Sequence, residues 1–201
     1  MLVRPISRTT GVRETQTLAM QRTSLTRWLT ALVALCFLAA LGTRAAHADA
    51  PVVLDTPAKL TIPALGVRAN VQYVGLADDG SMGIPEGFDD VAWYNLGAAP
   101  GQLGNAIFTG HVSSTAAPGI FYNIDQLGVG NTIHVLGDDG TDLAFVVQEV
   151  DTFRADRVPM DRIFAPMDQS GLVLITCGGS WDPVAHLFAD RIVVFATLAT
   201  D

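Results

Sequence analysis

The side chains best suited to covalent chemistry in this sequence are a cysteine, two histidines and an isolated arginine. Cys177 follows an apolar run at residues 172–175, and Gly178 and Gly179 come next. A free thiol, with a pKa of about 8.5, is only slightly ionised at neutral pH, so a nucleophilic cysteine needs a nearby imidazolium or guanidinium. The two glycines would let the backbone approach a ligand closely and present N–H groups to it. The alternative for Cys177 is a packed, inert core thiol.

Two histidines could serve such a thiol. His111 follows a short strand predicted at residues 104–109, and His186 lies in the stretch beyond Cys177. His134 alternates with apolar neighbours, so we expect it to point to solvent from a strand. Spacing alone leaves His111 and His186 as open alternatives.

Arg191 is the third candidate, and it opens an apolar strand predicted at residues 192–196. A guanidinium is a planar, permanently charged donor that suits a carbonyl oxygen or the oxyanion of acyl transfer. A surface ion pair with Asp190 is the alternative. A thiol, an imidazole and a guanidinium together would suit nucleophilic acyl transfer.

Composition favours one globular domain preceded by a targeting segment. The chain has 201 residues, of which 49% are hydrophobic and 16% charged, which excludes a disordered chain. Six of its 12 basic residues but only one of its 20 acidic residues precede position 49, so the remainder carries a net charge of −13. That charge disfavours nucleic acid and anionic lipid surfaces as partners.

The N-terminal region has the pattern of an export signal. Arg22 and Arg27 precede an apolar run at residues 28–41, and the small residues Ala46 and Ala48 follow. We interpret residues 1–48 as an export signal or a membrane anchor, with Met20 as an alternative start, and residues 49–58 as a linker. The exported body at 59–201 then holds a single cysteine, Cys177.

The exported body is predicted to be all-β. Short β-rich runs alternate with Gly, Pro and Asp at a spacing typical of a barrel or sandwich, and Asp139-Gly140 indicates a hairpin. We count about eight strands, enough to close a small barrel, with short helices at 120–127 and 160–164. Residues 80–100 and 177–191 are predicted to be long functional loops.

The acidic residues do not indicate a metal site. The pairs at 78–79, 89–90 and 138–139 lack the spacing of a calcium-binding loop, and one cysteine with scattered histidines does not suit zinc. We therefore expect turns and solvated faces there, with no metal and no cofactor.

Three segments in order, Thr109-Gly110-His111-Val112, Leu174-Ile175-Thr176-Cys177 and Asp190-Arg191-Ile192, resemble the His, Cys and Arg motifs of the sortases. The resemblance covers about residues 58–199. Pro100-Gly101, Gly119-Ile120-Phe121 and Cys177-Gly178-Gly179 are most similar to class F sortases, with class E next.

The resemblance implies a closed eight-stranded β-barrel and a cysteine transpeptidase of the cell surface, anchored or secreted through its N-terminal segment. Cys177 would attack the Thr–Gly bond of an LPxTG-like sorting signal, and His111 would serve as acid and then base. Arg191 would hold the carbonyl oxygen, Thr176 would contact substrate, and a cell-wall amine would accept the acyl group. The partners implied are sorting-signal peptides and that amine.

Two further functions compete with this interpretation. Papain-like and NlpC-type peptidases place the cysteine at a helix start with the histidine downstream, whereas His111 precedes a strand-borne Cys177 here. The Ser-His-Gly-Cys pattern of L,D-transpeptidases is absent from the sequence. A non-enzymatic β-barrel binding module with a buried thiol is the remaining alternative.

Overall fold

The computed structural model describes residues 52–114 and 116–200, and within them eight β-strands form a closed barrel. In chain order the strands are β1 Pro57–Ile62, β2 Val67–Val74, β3 Val91–Tyr94, β4 Gly104–Gly110, β5 Thr132–Gly137, β6 Asp142–Arg154, β7 Ser170–Asp182 and β8 Leu187–Leu198. Around the barrel their order is β1-β2-β3-β4-β7-β8-β6-β5. The predicted all-β fold with a closed eight-stranded barrel is confirmed.

Helical structure is confined to short pieces in the described part of the chain. One α-helix, α1, covers Met160–Ile163, and 3₁₀ turns cover Pro63–Leu65 and Ile124–Gln126. The predicted helices at 120–127 and 160–164 are thus present but shorter. None of the helices within residues 52–114 and 116–200 has the length and apolar character needed to cross a membrane. Residues 1–48, interpreted as a signal or anchor, lie outside the described residues.

The pairing of the central strands brings three chain positions to one end of the barrel. β4 runs parallel to β7 with Thr109 opposite Ile175, so β4 ends at a rim of the barrel beside the middle of β7, which continues to Asp182. β8 runs antiparallel to β7, so its segment around Arg191 returns to that rim. The residues that follow β4, the middle of β7 and the early part of β8 therefore lie near one another.

Two apolar layers cover the two faces of these strands. Ala106 and Phe108 belong to the large cluster that fills the barrel, whereas Ile107 belongs to a second cluster on the outer face. The second cluster contains Ile107, Ile163, Val173, Val193 and Phe195. Because strand side chains alternate between faces, burial on both faces produces the continuous apolar runs seen in the sequence.

Both stretches that were predicted to be long loops contain β-strand. Residues 80–100 include β3, whose four residues are too few to produce a periodic pattern. The stretch 177–191 is mostly the ends of β7 and β8, which leaves only residues 183–186 between them. Cys177 and Arg191 therefore lie within strands rather than at their ends. Glycines at 178 and 179 suggested a loop, but a register shift between Gly178 and Trp181 accommodates them in the strand pair.

The hairpin predicted at Asp139-Gly140 is confirmed. β5 and β6 pair in antiparallel fashion across it, and Gly140 has a φ of 86°, which glycine adopts readily. The Asp139 carboxylate accepts a hydrogen bond of 2.9 Å from the Thr141 amide. That contact holds the turn and lowers the pKa of Asp139.

Candidate active site

Cys177 and Arg191 are direct cross-strand partners on β7 and β8. Val173 and Val193 belong to the outer cluster, and alternation places Cys177 and Arg191 on the same outer face. Directly opposed side chains of antiparallel strands have Cβ atoms about 4.5–5.5 Å apart. The thiol and the guanidinium therefore start from adjacent positions, and Cys177 is half-buried there.

His111 reaches the same rim from β4. It is the first residue after that strand, and the parallel register with β7 makes it the neighbour of Cys177. The Thr176 hydroxyl donates a 2.7 Å hydrogen bond to the Gly110 carbonyl. This bond joins β7 to β4, and its two residues are the chain neighbours of Cys177 and His111.

The three predicted side chains line one open cleft of about 340 Å³. His111, Cys177 and Arg191 share it with Thr109, Ile175 and Phe188, among others. His186 lies instead at the tip of the β7–β8 hairpin, with a φ of 54° and its ring 6.1 Å from that of Trp181. Of the two histidines left open by the sequence, the structure brings His111 to Cys177.

Thr176 points away from the cleft face. It alternates with Ile175 and Cys177, its side chain is only 3% exposed, and its one donor is used by the Gly110 carbonyl. Thr176 nevertheless borders the cleft, and its hydroxyl oxygen can still accept a hydrogen bond, so the predicted contact with substrate stays a prediction. The geometry favours a role for Thr176 in holding the two strands together.

The Arg191 guanidinium is oriented by main-chain carbonyls. Its Nη1 donates to the carbonyl oxygens of Asp190 at 2.8 Å and Phe188 at 3.2 Å. No ion pair involving Arg191 occurs among the residues the structure describes, so the surface pair with the Asp190 carboxylate is not what fixes it. Among the described residues the other guanidinium nitrogens have no hydrogen-bond partner, so they can donate to a ligand in the cleft that Arg191 lines.

His111 is held by the β2–β3 loop, residues 75–90. Its Nε2 lies 2.9 Å from the Pro85 carbonyl oxygen, and its ring packs on Phe88 with centroids 4.5 Å apart. The sequence marked Phe88 only as part of a long functional loop. Nothing in the sequence indicated that Pro85 contacts His111, because the contact is made by the main-chain carbonyl of Pro85.

Glycines close to the site make room for neighbouring protein groups. A Cβ on Gly119 would lie 2.4 Å from the His111 carbonyl oxygen, and Phe121 donates its amide to that oxygen at 3.0 Å. Gly179 has a φ of 72°, and a Cβ there would lie 2.2 Å from a carboxylate oxygen of Asp190. The glycines after Cys177 therefore accommodate β8, whereas the sequence suggested close approach to a ligand.

A second cavity of about 490 Å³ continues the cleft along the outer face. The two cavities share Ser81, Met82, Ile175 and Arg191. The walls of the second cavity are mainly apolar, including Leu76, Tyr94, Val158, Met160 and Phe164. Together the cavities form a groove that leads away from Cys177.

An ion-pair cluster lies on the barrel wall that carries α1. Arg162 donates to both carboxylate oxygens of Glu149, at 2.7 and 2.5 Å, and lowers the pKa of Glu149 to about 2. The hydrogen bond with Glu149 raises the pKa of Asp151. Within residues 52–114 and 116–200, no group of three or more His, Cys, Asp or Glu side chains is arranged to hold a metal ion.

A nucleophile, an acid–base group and a cation around one cleft are the groups that acyl transfer through a covalent intermediate requires. Residues 60–199 match the family model for the sortase domain, and the chain belongs to the sortase family. Sortases are cysteine transpeptidases, so the predicted enzyme class is confirmed, and neither an inert binding module nor an unrelated cysteine peptidase is supported.

Solved sortase structures share the fold. A sortase from Actinomyces oris is 23% identical, with a TM-score of 0.58 over 76% of this chain and 87% of that one. Sortase C from Clostridium perfringens SM101 is 18% identical, with a TM-score of 0.54 over 75% of this chain and 73% of that one. A sortase D5 from Clostridium perfringens is 21% identical, with a TM-score of 0.54 over 72% of this chain and 79% of that one. No curated protein sequence matches the chain. Assignment to class F or class E stays a prediction.

Proposed function

We propose that this sortase cleaves an LPxTG-like sorting signal between Thr and Gly and transfers the new acyl group to an amine of the cell wall. The observation that carries the proposal is the convergence of Cys177, His111 and Arg191 on one outer rim of the barrel. Cys177 is also the only cysteine within the residues that match the family. It is therefore the thiol available for a thioacyl intermediate.

In the first half-reaction, which starts from the Cys177 thiolate and protonated His111, the sulfur attacks the Thr carbonyl carbon, and the carbonyl electrons move to oxygen. Arg191 donates hydrogen bonds to that oxyanion, which stabilises the tetrahedral intermediate. His111 gives a proton to the Gly nitrogen as the C–N bond breaks, which releases the glycine peptide as an amine. A thioester between Cys177 and the Thr carbonyl remains.

In the second half-reaction, the acceptor amine attacks the thioester carbonyl. His111, now neutral, takes a proton from the attacking nitrogen, and the sulfur leaves as the thiolate. The new amide joins the sorting signal to the acceptor. The thioester keeps the acyl group activated until the amine arrives.

The apolar groove next to the cleft fits the part of the sorting signal that precedes the cleaved bond. An extended peptide entering from Cys177 would pass Ile175 and Met82 and reach the wall formed by Val158 and Met160. Thr109 also lines the cleft, although its hydroxyl is buried and has no hydrogen-bond partner among the described residues.

The place of action follows from the N-terminal sequence and the family. Residues 1–48 have the pattern of an export signal or anchor, and the linker predicted at 49–58 overlaps the barrel domain, since Leu54 is buried in the core and β1 begins at Pro57. We therefore place the enzyme at the cell surface, where sorting signals and cell-wall amines meet.

The proposal is tested with a library of sorting-signal peptides and an added amine nucleophile. We expect cleavage after Thr and a ligated product that contains the amine, both identified by mass spectrometry. His111→Ala and Cys177→Ala should yield neither product. Cleavage at another bond, or full turnover in either variant, would contradict the proposal.

A further inference from the structure

Phe88 is a large aromatic side chain whose position the hydrophobic core does not explain. It is 42% exposed, and its ring packs against the imidazole of His111, with centroids 4.5 Å apart and planes tilted by 37°. Phe88 belongs to neither apolar cluster, and its one aromatic contact among the described residues is with the His111 ring. Packed rings restrain each other's orientation.

The Pro85 carbonyl fixes which nitrogen of His111 carries the proton. A carbonyl oxygen can only accept a hydrogen bond, so Nε2, 2.9 Å away, must be the donor. In the neutral imidazole only one nitrogen is protonated, and the Pro85 contact makes it Nε2. The lone pair of neutral His111 is therefore on Nδ1, which is the nitrogen left to take and give a proton.

The β2–β3 loop is itself anchored at the points that touch His111. The Glu86 amide donates to the Gln72 side chain at 3.0 Å, which fixes the residue next to Pro85. The Gln72 amide group donates in turn to Asp90 at 3.0 Å. The Ile120 amide donates to the Phe88 carbonyl at 2.8 Å. The segment that carries Pro85 and Phe88, the two residues that contact the imidazole, is therefore held by hydrogen bonds at residues 86 and 88.

We propose that Phe88 and the Pro85 carbonyl are the positioning groups of His111, holding its ring in place with Nε2 protonated and leaving Nδ1 to exchange a proton. This inference rests on the proposed function of His111 as the acid that protonates the leaving amine. The loop would then set both the orientation of the ring and the nitrogen that reacts.

Few other charges bear on the imidazole. Among the described residues, the titratable and charged groups that line the cleft with it are Cys177 and Arg191. On the loop, Glu86, Asp89 and Asp90 flank Phe88, and Asp90 accepts hydrogen bonds from β2 side chains. The segment at 112–121 contributes no acidic or basic side chain. A change confined to the Phe88 ring therefore leaves these charges in place.

The test is the steady-state kinetics of the full-length enzyme carrying Phe88→Leu, Phe88→Tyr or the control Tyr122→Leu. Tyr122 is a comparably exposed aromatic residue, at 51%, that lines a different cavity. With the ring lost, we expect kcat to fall about threefold to tenfold with little change in KM, because the imidazole is then less well oriented for proton transfer. Phe88→Tyr keeps the ring and should match wild type, as should Tyr122→Leu.

A second measurement shows directly which ring nitrogen of His111 carries the proton. Long-range ¹H–¹⁵N spectra of the full-length protein should show neutral His111 protonated at Nε2. The inference is overturned if neutral His111 is protonated at Nδ1, or if Phe88→Leu keeps the wild-type kcat. Full activity in His111→Ala would instead overturn the proposed function, so the two failures are distinguishable.

Discussion

At the residue scale, Cys177 is half-buried on the outer face of the barrel and contributes no side chain to its core. Cys177→Ala should therefore abolish acyl transfer while changing the free energy of unfolding by less than about 1 kcal/mol, because truncations outside the core cost little. Peptide turnover and urea unfolding measure the two effects. Cys36→Ala is the matched control and should keep full turnover. Residual transfer in Cys177→Ala would contradict the assignment.

Arg191 is predicted to act through the shape of its guanidinium. Arg191→Lys keeps the positive charge but replaces a planar fork, held by two main-chain carbonyls, with a flexible point charge. We expect kcat to fall about 100-fold, the usual cost of losing an oxyanion donor, with a smaller change in KM. Steady-state kinetics measure both constants, and Arg154→Lys, an exposed site, is the control. A wild-type kcat in Arg191→Lys would show that the guanidinium of Arg191 is not the oxyanion donor.

At the element scale, the bond from Thr176 to the Gly110 carbonyl joins β7 to β4 next to the proposed catalytic residues. Thr176→Val keeps the side-chain volume but leaves the carbonyl without this donor, which should lower the free energy of unfolding by about 1–2 kcal/mol. Because His111 and Cys177 are each one residue away, we also expect kcat to fall about tenfold. Thr176→Ser should recover both. If Thr176→Val raised KM alone, a direct contact with substrate would be the better explanation.

The ion pair between Arg162 of α1 and Glu149 of β6 should make stability depend on pH. The folded pKa of Glu149 is about 2, below its ordinary 4.5. Its stabilising effect is therefore complete above pH 4.5 and is lost as pH falls towards 2. The pKa of Asp151 is raised, which acts in the opposite direction. Since the pair is largely exposed, we expect a net effect below about 1 kcal/mol.

Urea unfolding of wild type and Glu149→Gln at pH 7 and pH 3 measures this effect. The stability advantage of wild type should be larger at pH 7 than at pH 3. Equal differences at the two pH values would contradict the assigned coupling.

Sequence patterns predicted the elements whose signal is local. The hairpin at Gly140 and the buried runs of β7 and β8 follow from turn chemistry and hydrophobicity, and both were confirmed. β3 was missed because four residues give too short a pattern. The ends of β7 and β8 were missed because their strand conformation depends on pairing with each other. The Pro85 contact with His111 was beyond prediction because it joins a main-chain oxygen to a ring 26 residues away.

At the scale of the whole molecule, the net charge of −13 beyond residue 48 should attract cationic substrates. At low salt, kcat/KM for a sorting peptide with Lys at its variable position should be about threefold to tenfold higher than kcat/KM for the same peptide with Glu at that position. The two values should converge as salt screens the charges. Kinetics at 20 and 500 mM NaCl provide the comparison. A ratio independent of salt would indicate a local contact in the groove instead.

The central claim is that a sulfur on the outer rim of the barrel takes the acyl group from the peptide. Intact-protein mass spectrometry during turnover, with no amine added, tests it most directly. The account predicts a mass increase equal to the peptide up to and including Thr, located on Cys177 and removed by an added amine. A folded enzyme that turns over the peptide without this adduct, or that carries it on another residue, would contradict the account.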